Sequence, residues 1–260
     1  MEILANGFLD DKMQNKINAV KKEYNKEIDL LSDFNRLAYK IIAQYHKIEP
    51  VNENLYLLPA FIEINKLYQA AVIMLEYGFV NCFESTMRNM FELSFQMIYV
   101  INDSNNMKNL EKFTYSEVIK KMKYIKDNKL YDIVPEESVE EICVNAQKLK
   151  DELKGSGAKN PPNIKDMCNN LGLQKEYAYY QYLSDYTHND YSIIFSSNKF
   201  QEDGVYLDTN GDYSNFRNNS LRLISVLDMT LTKMIDKYAK VFKEEYDALI
   251  DKAHLLYNKE

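Results

Sequence analysis

The feature that most constrains this chain is a run of apolar residues at helical spacing: Met13, Ile17, Val20, Tyr24, Ile28, Leu31, Phe34, Ala38, Ile41, Tyr45 and Ile48. Steps of three and four keep these side chains on one stripe of an α-helix. The pattern therefore predicts a long amphipathic first helix, ~50 Å if unbroken at ~1.5 Å per residue. A small core cannot cover that length. The expectation is packing on another long helix or on a second subunit, and the second alternative is a homodimer.

The same period recurs downstream. Pro50 to Leu58 reads as a connection. Pro59 suits a first helical turn, where its missing N–H has no partner to lose. Phe61, Ile64, Leu67, Ala71 and Leu75 then carry a stripe to Gly78, a C-terminal cap. A second apolar helix follows over Val80 to Ile101. Beyond the turn cluster Asn102 to Asn106, Ser116 to Lys129 and Pro135 to Leu153 read as shorter, more polar helices. Gly155-Ser156-Gly157-Ala158-Lys159-Asn160-Pro161-Pro162 is a loop that marks either a subdomain boundary or a moving segment. Asn163 caps a short helix ending near Gly172, and a Tyr-rich helix follows. Ile193 to Asp208, with Asp203-Gly204 between apolar runs, reads as a β-hairpin, and a last long helix runs from Asn215 to Tyr257. The fold class is all-α: a helical bundle of about seven helices with one small β-hairpin insertion. Residues 1-58 form the N-terminal helix and connection and 59-260 a helical domain, read as one continuous fold.

Composition narrows the function classes. With 260 residues, 46% of them hydrophobic, the chain can fill a sizeable core. The balance of 32 Lys+Arg against 39 Asp+Glu gives -7, which disfavours attraction to phosphate over the whole surface. Cys82, Cys143 and Cys168 form no C-x-x-C pair, so a reducing, cytoplasmic setting fits best. The first residues carry acids where a secretory signal carries bases, so export is not expected. The apolar region Ala70 to Ile101 is broken by Glu76, Glu84, Arg88 and Glu92, short of the ~20 nearly uncharged residues of a membrane span. His46, His188 and His254 lie far apart, and the acids form no ligand set, so no metal is expected. The stretch Asp203 to Asp212 lacks the residue order of a calcium loop. No Gly-rich phosphate cradle occurs, and no cofactor is expected.

Some polar residues stand out against this background. Between Phe79 and Ile101 the charged residues are Glu84, Arg88 and Glu92, spaced four apart on one stripe of an apolar helix. A guanidinium between two carboxylates can orient a ligand or hold a catalytic group. Alternatively, the three form an internal ion-pair ladder that fixes helix register. In the Tyr-rich segment, Tyr182, Ser184 and Asp185 precede His188, with Ser184 and His188 four apart and able to share a face. A histidine there can serve as general acid or base, oriented by Asp185 or Asp190. It can equally cap a buried helix whose Tyr rings pack between neighbours. No Gly-rich nucleophile turn surrounds Ser184. Finally, Lys120, Lys121, Lys123 and Lys126 lie among Phe113, Tyr115 and Tyr124. They are candidates for RNA contact, with a solvated amphipathic helix as the alternative.

Two segments carry a resemblance. Glu76-Tyr77-Gly78-Phe79 with Phe83-Glu84-Ser85-Thr86-Met87-Arg88-Asn89-Met90-Phe91-Glu92, and the later Tyr182-Leu183-Ser184-Asp185-Tyr186-Thr187-His188, resemble the bacterial domain-of-unknown-function family 5677. The likeness runs from Pro59 to Tyr246. It implies one composite polar site built from Arg88, Glu92, Ser184 and His188. That family is in turn similar to the HEPN superfamily, which includes metal-independent ribonucleases of toxin and antiphage systems. Their signature is Arg, four to six intervening residues, then His; the corresponding positions before His188 are Gln181, Tyr182 and Leu183. The resemblance thus implies either a noncatalytic sensor or interaction module of a bacterial stress or phage-defence system, or a ribonuclease. In the ribonuclease, Arg88 supplies the missing cation from another helix while His188 deprotonates a ribose 2′-hydroxyl.

Overall fold

The stripe that opens the sequence folds as two consecutive helices in the computed structural model, α1 (Asp11–Glu23) and α2 (Asn25–Tyr45). The structure describes residues 11–45, 54–187, 198–201, 204–207 and 212–258. Tyr24 marks the division, although helical hydrogen bonds cross it: the Tyr24 N–H donates to the Val20 carbonyl at 2.9 Å, and the Ile28 N–H to the Tyr24 carbonyl at 3.0 Å. The single long helix expected from periodicity is corrected to this pair; Ile48 lies outside the described residues. Ile17, Leu31, Phe34, Ala38 and Ile41 are buried. They pack against later helices of the same chain, and Tyr24 stacks on Phe216 at 4.5 Å. Cover for these positions of the stripe is thus supplied within the chain.

Helix α3 (Asn54–Tyr77) begins ahead of Pro59, so the proline sits inside the helix and not in its first turn. By length and composition α3 could cross a membrane, with a mean hydropathy of 1.2. Here it packs against α2 and the later α9 (Phe216–Lys237). Its buried Tyr68 donates its hydroxyl to the Leu31 carbonyl at 2.9 Å. Gly78, at φ 71°, ends α3: its N–H reaches the Leu75 carbonyl at 3.1 Å and the Phe79 N–H the Met74 carbonyl at 2.9 Å. This is a turn that favours glycine. Helix α4 (Val80–Asn102) starts immediately afterwards.

The remaining helices are α5 (Asn106–Asp127), α6 (Glu136–Gly155), α7 (Ile164–Leu171), α8 (Gln174–Thr187), α9 and α10 (Lys243–Tyr257). Asn163 caps α7 by accepting the Asp166 N–H at 2.9 Å. The last long helix is corrected to α9, a 3₁₀ turn at Lys240–Phe242, and α10. The Ala239 N–H turns back to the Met234 and Ile235 carbonyls, and Val241, which the apolar period assigns to the core, is 75% exposed. Ten α-helices are therefore present among the described residues, against the seven or so expected. Two strands fall within the expected hairpin, Ile193 to Asp208. Strands β1 (Asn198–Gln201) and β2 (Gly204–Leu207) pair antiparallel, Asn198 opposite Leu207 and Gln201 opposite Gly204.

The chain divides into two units, Met1–Met97 with Gln174–Glu260, and Ile98–Leu173. The first has a large apolar core that includes Leu30, Phe34, Phe61, Phe83, Phe95, Leu227 and Met234. In the second, α5 and α6 pack along each other around Leu110, Ile125, Val139 and Ala146, with Met167 and Cys168 of α7 also buried.

Candidate functional site

The polar residues singled out in α4 lie in the first unit, and the structure divides them. Arg88 points toward α8. Its Nε donates to Ser184 Oγ at 3.3 Å, its Nη2 to the Tyr180 hydroxyl at 2.9 Å, and its Nη1 to Glu92 Oε2 at 3.5 Å. The guanidinium also lies over the Tyr180 ring, 4.9 Å from its centroid. The Tyr180 hydroxyl in turn donates to Glu92 Oε2 at 3.2 Å, closing an Arg–Tyr–carboxylate triangle. Ser184 bonds back to the Tyr180 carbonyl at 3.2 Å, one helical turn earlier, which sets its oxygen toward Arg88. Burial, with the Glu92 carboxylate second, pushes the Tyr180 phenol up to about 12. It therefore stays protonated at neutral pH, as a donor to Glu92.

Aromatic packing holds α8 to α4 beside this triangle. Tyr180 meets Phe95 edge-on at 5.9 Å, and Tyr179 meets Phe91 at 5.6 Å. Such contacts add ~0.5–1.5 kcal/mol each beyond burial. Tyr182 stacks on Tyr179 at 6.0 Å and is otherwise half exposed.

Glu84 leaves the expected three-residue ladder. Only 3% exposed, it faces Arg222 of α9, with Oε1 at 3.8 Å from Nη1. Its other oxygen, Oε2, has no hydrogen-bond partner. Burial raises its pKa from 4.5 to about 7, with Arg222 pulling the other way. Arg222 also lies over the Tyr179 ring, 5.1 Å from the centroid. Tyr179 thus stands between the two polar groups, in a T-shaped contact with Phe91 of α4 and with its face toward Arg222 of α9.

The structure therefore brings together Arg88, Glu92 and Ser184, and places Glu84 in a separate pair. His188 lies outside the described residues, as does Asp190. Asp185 belongs to α8, but its side chain lies outside what is described. Two further participants, Tyr180 and Arg222, were not singled out from sequence. Tyr180 is four residues before Ser184, so the face that holds Ser184 also holds Tyr180. Arg222 has no comparable local signal, because Glu84 and Tyr179, which it meets, lie on two distant helices. Among the described residues no group of three His, Cys, Asp or Glu side chains gathers to hold a metal ion. In the second unit, Lys126 pairs with Glu140 at 2.7 Å and Lys120 with Glu117 at 2.7 Å, while Lys121 and Lys123 are exposed.

An all-α bundle in which an Arg–Tyr–Glu triangle ties two helices together is the class of protein these observations define. Residues 54–205 match the model of a family described as one of unknown function, DUF5677, and the chain belongs to that family. The match takes in α3 through α8 and hence both halves of the Arg88 cluster. No curated protein and no solved structure matches the chain.

Proposed function

We propose that this protein is a noncatalytic helical module, a sensor or interaction component of a bacterial stress or phage-defence system, in which the Arg88 cluster latches α8 onto α4. The observation that carries this reading is the state of the guanidinium. All three of its nitrogens engage protein partners, and its face is covered by Tyr180. A cation meant to stabilise developing charge on a phosphorane must present donors to the substrate. One already bonded to Ser184, Tyr180 and Glu92 gives up those bonds to do so. The pairing with Glu92 also lowers the positive potential that a phosphodiester would meet.

The competing reading is a metal-independent ribonuclease using Arg88 and His188, with Lys120, Lys121, Lys123 and Lys126 as RNA contacts. Incubating purified protein with labelled RNA and a chelator decides between the two. The latch reading expects no cleavage by wild type, and Arg88→Ala that unfolds at a lower temperature. Cleavage by wild type that disappears in folded Arg88→Ala and His188→Ala variants would establish the ribonuclease instead.

A further inference from the structure

We propose that the second unit, Ile98–Leu173, carries a binding site for a phosphorylated, hydroxyl-rich small molecule. The site is the open cavity between the α4–α5 junction and the loop that follows α6. This cavity has a volume of about 550 Å³, and Lys108, Asn109, Ser156, Lys159, Asn160 and Asn170 contribute to its walls. Small-molecule sites generally span ~300–1,000 Å³. The Asn160 and Asn170 amides each carry donor and acceptor groups, which suits a ligand bearing hydroxyls better than an apolar one, while the Asn109 amide is engaged within the wall itself.

Two lysines give the cavity its charge preference. Lys108 is half-buried, and among the described residues neither its ammonium nor that of Lys159 has a carboxylate partner. The acid on the wall, Asp103, is engaged by its own turn, with Oδ1 accepting the Asn105 N–H at 3.0 Å and the Asn105 amide at 3.1 Å. In a chain of net charge -7, two uncompensated ammonium groups beside one occupied carboxylate reverse the local sign. A phosphate group is the partner that matches them, because charge-assisted hydrogen bonds to ammonium are among the stronger ones.

The loop side of the cavity is fixed in advance. The Lys159 N–H donates to Asn109 Oδ1 at 2.7 Å, and Lys112 Nζ donates to the Ala158 carbonyl at 3.0 Å. Ala158 is 8% exposed, and its N–H returns to the Leu153 carbonyl at 3.0 Å. Gly157, at φ 88°, makes the turn that allows this path. A wall bonded to α5 before the ligand arrives has little ordering entropy left to lose on binding.

Isothermal titration of the full chain tests the site, using ribose 5-phosphate, adenosine 5′-monophosphate and inorganic phosphate as probes. Saturable binding of at least one organic phosphate is expected, with inorganic phosphate weaker by about tenfold or more. The tighter of the two organic probes shows whether the natural ligand is a sugar phosphate or a nucleotide. Lys108→Gln with Lys159→Gln should weaken that binding by about tenfold or more. Lys120→Gln, on α5 but paired with Glu117 outside the cavity, should leave it unchanged. Should the double variant fail to fold, the single change at exposed Lys159 serves in its place. No saturation by either organic probe at millimolar concentration, undiminished binding by the lysine variants, or an equal loss in Lys120→Gln would overturn the proposal. The cavity lies wholly within the second unit, so this outcome is independent of the Arg88 reading.

Discussion

Arg88 and Glu84 occupy the same helix one turn apart, and their surroundings give them different work. Arg88 is held by neighbours that are themselves polar, whereas Glu84 is sealed with one oxygen unpartnered. A carboxyl whose folded pKa is raised binds its proton more tightly in the native state. It therefore favours folding below the unfolded value near 4.5, and that contribution is lost as pH rises toward about 7. Wild-type stability should fall between pH 5 and pH 8, by up to ~3 kcal/mol from this residue. Glu84→Gln should lose the part of that slope that Glu84 supplies. Urea unfolding at the two pH values measures the difference, and parallel pH profiles would show that Glu84 does not titrate in this window. The stripe of Glu84, Arg88 and Glu92 is legible from its spacing, whereas the partnership of Arg88 with Ser184 is implied only by the family resemblance. Which carboxylate Arg88 keeps is not legible, because that depends on where Arg222 arrives from α9.

At the scale of elements, Pro59 shows what periodicity conceals. Proline is favoured in a first turn, and the sequence around it supports that placement equally well; yet the apolar stripe extends back through Leu57 to a start at Asn54. Burial of Leu57 outweighs the hydrogen bond that the proline forgoes inside the helix. Pro59 itself is exposed, so Pro59→Ala restores the bond to the Leu55 carbonyl without disturbing the core. That substitution should stabilise the protein by ~1–2 kcal/mol, after discounting the entropy a proline removes from the unfolded chain. A rise in the urea midpoint at constant slope is the expected reading, and a fall would mean that the helix begins at Pro59 after all. The break between α9 and α10 was likewise hidden, since neither Gly nor Pro marks Tyr238 to Phe242 and the apolar spacing continues through Val241. Caps carried by Gly78, Asn163 and Gly172 were readable because each uses a side chain or a backbone conformation suited to one local job.

For the whole molecule, the all-α class followed from helical spacing repeated along most of the chain, whereas the partition into units did not. The Gly- and Pro-rich loop at Gly155 to Pro162 is the strongest break in the sequence. The structure instead changes unit within α4, at Met97 and Ile98, and again at Leu173 and Gln174. A helix can serve two cores without any compositional mark, and a loop can be bonded firmly into one, as Lys112 and Asn109 do here. Within the first unit, the Arg88 triangle and its flanking aromatics connect α4 to α8 across a long intervening segment. The proposed latch requires that Arg88 and Tyr180 act as one stabilising unit. A double-mutant cycle of Arg88→Ala and Tyr180→Phe, read by urea unfolding, is the direct measurement. The latch predicts that Arg88→Ala alone costs ~1–3 kcal/mol and that the two changes are coupled by ~1 kcal/mol. An Arg88→Ala variant as stable as wild type, with no coupling to Tyr180, would contradict it.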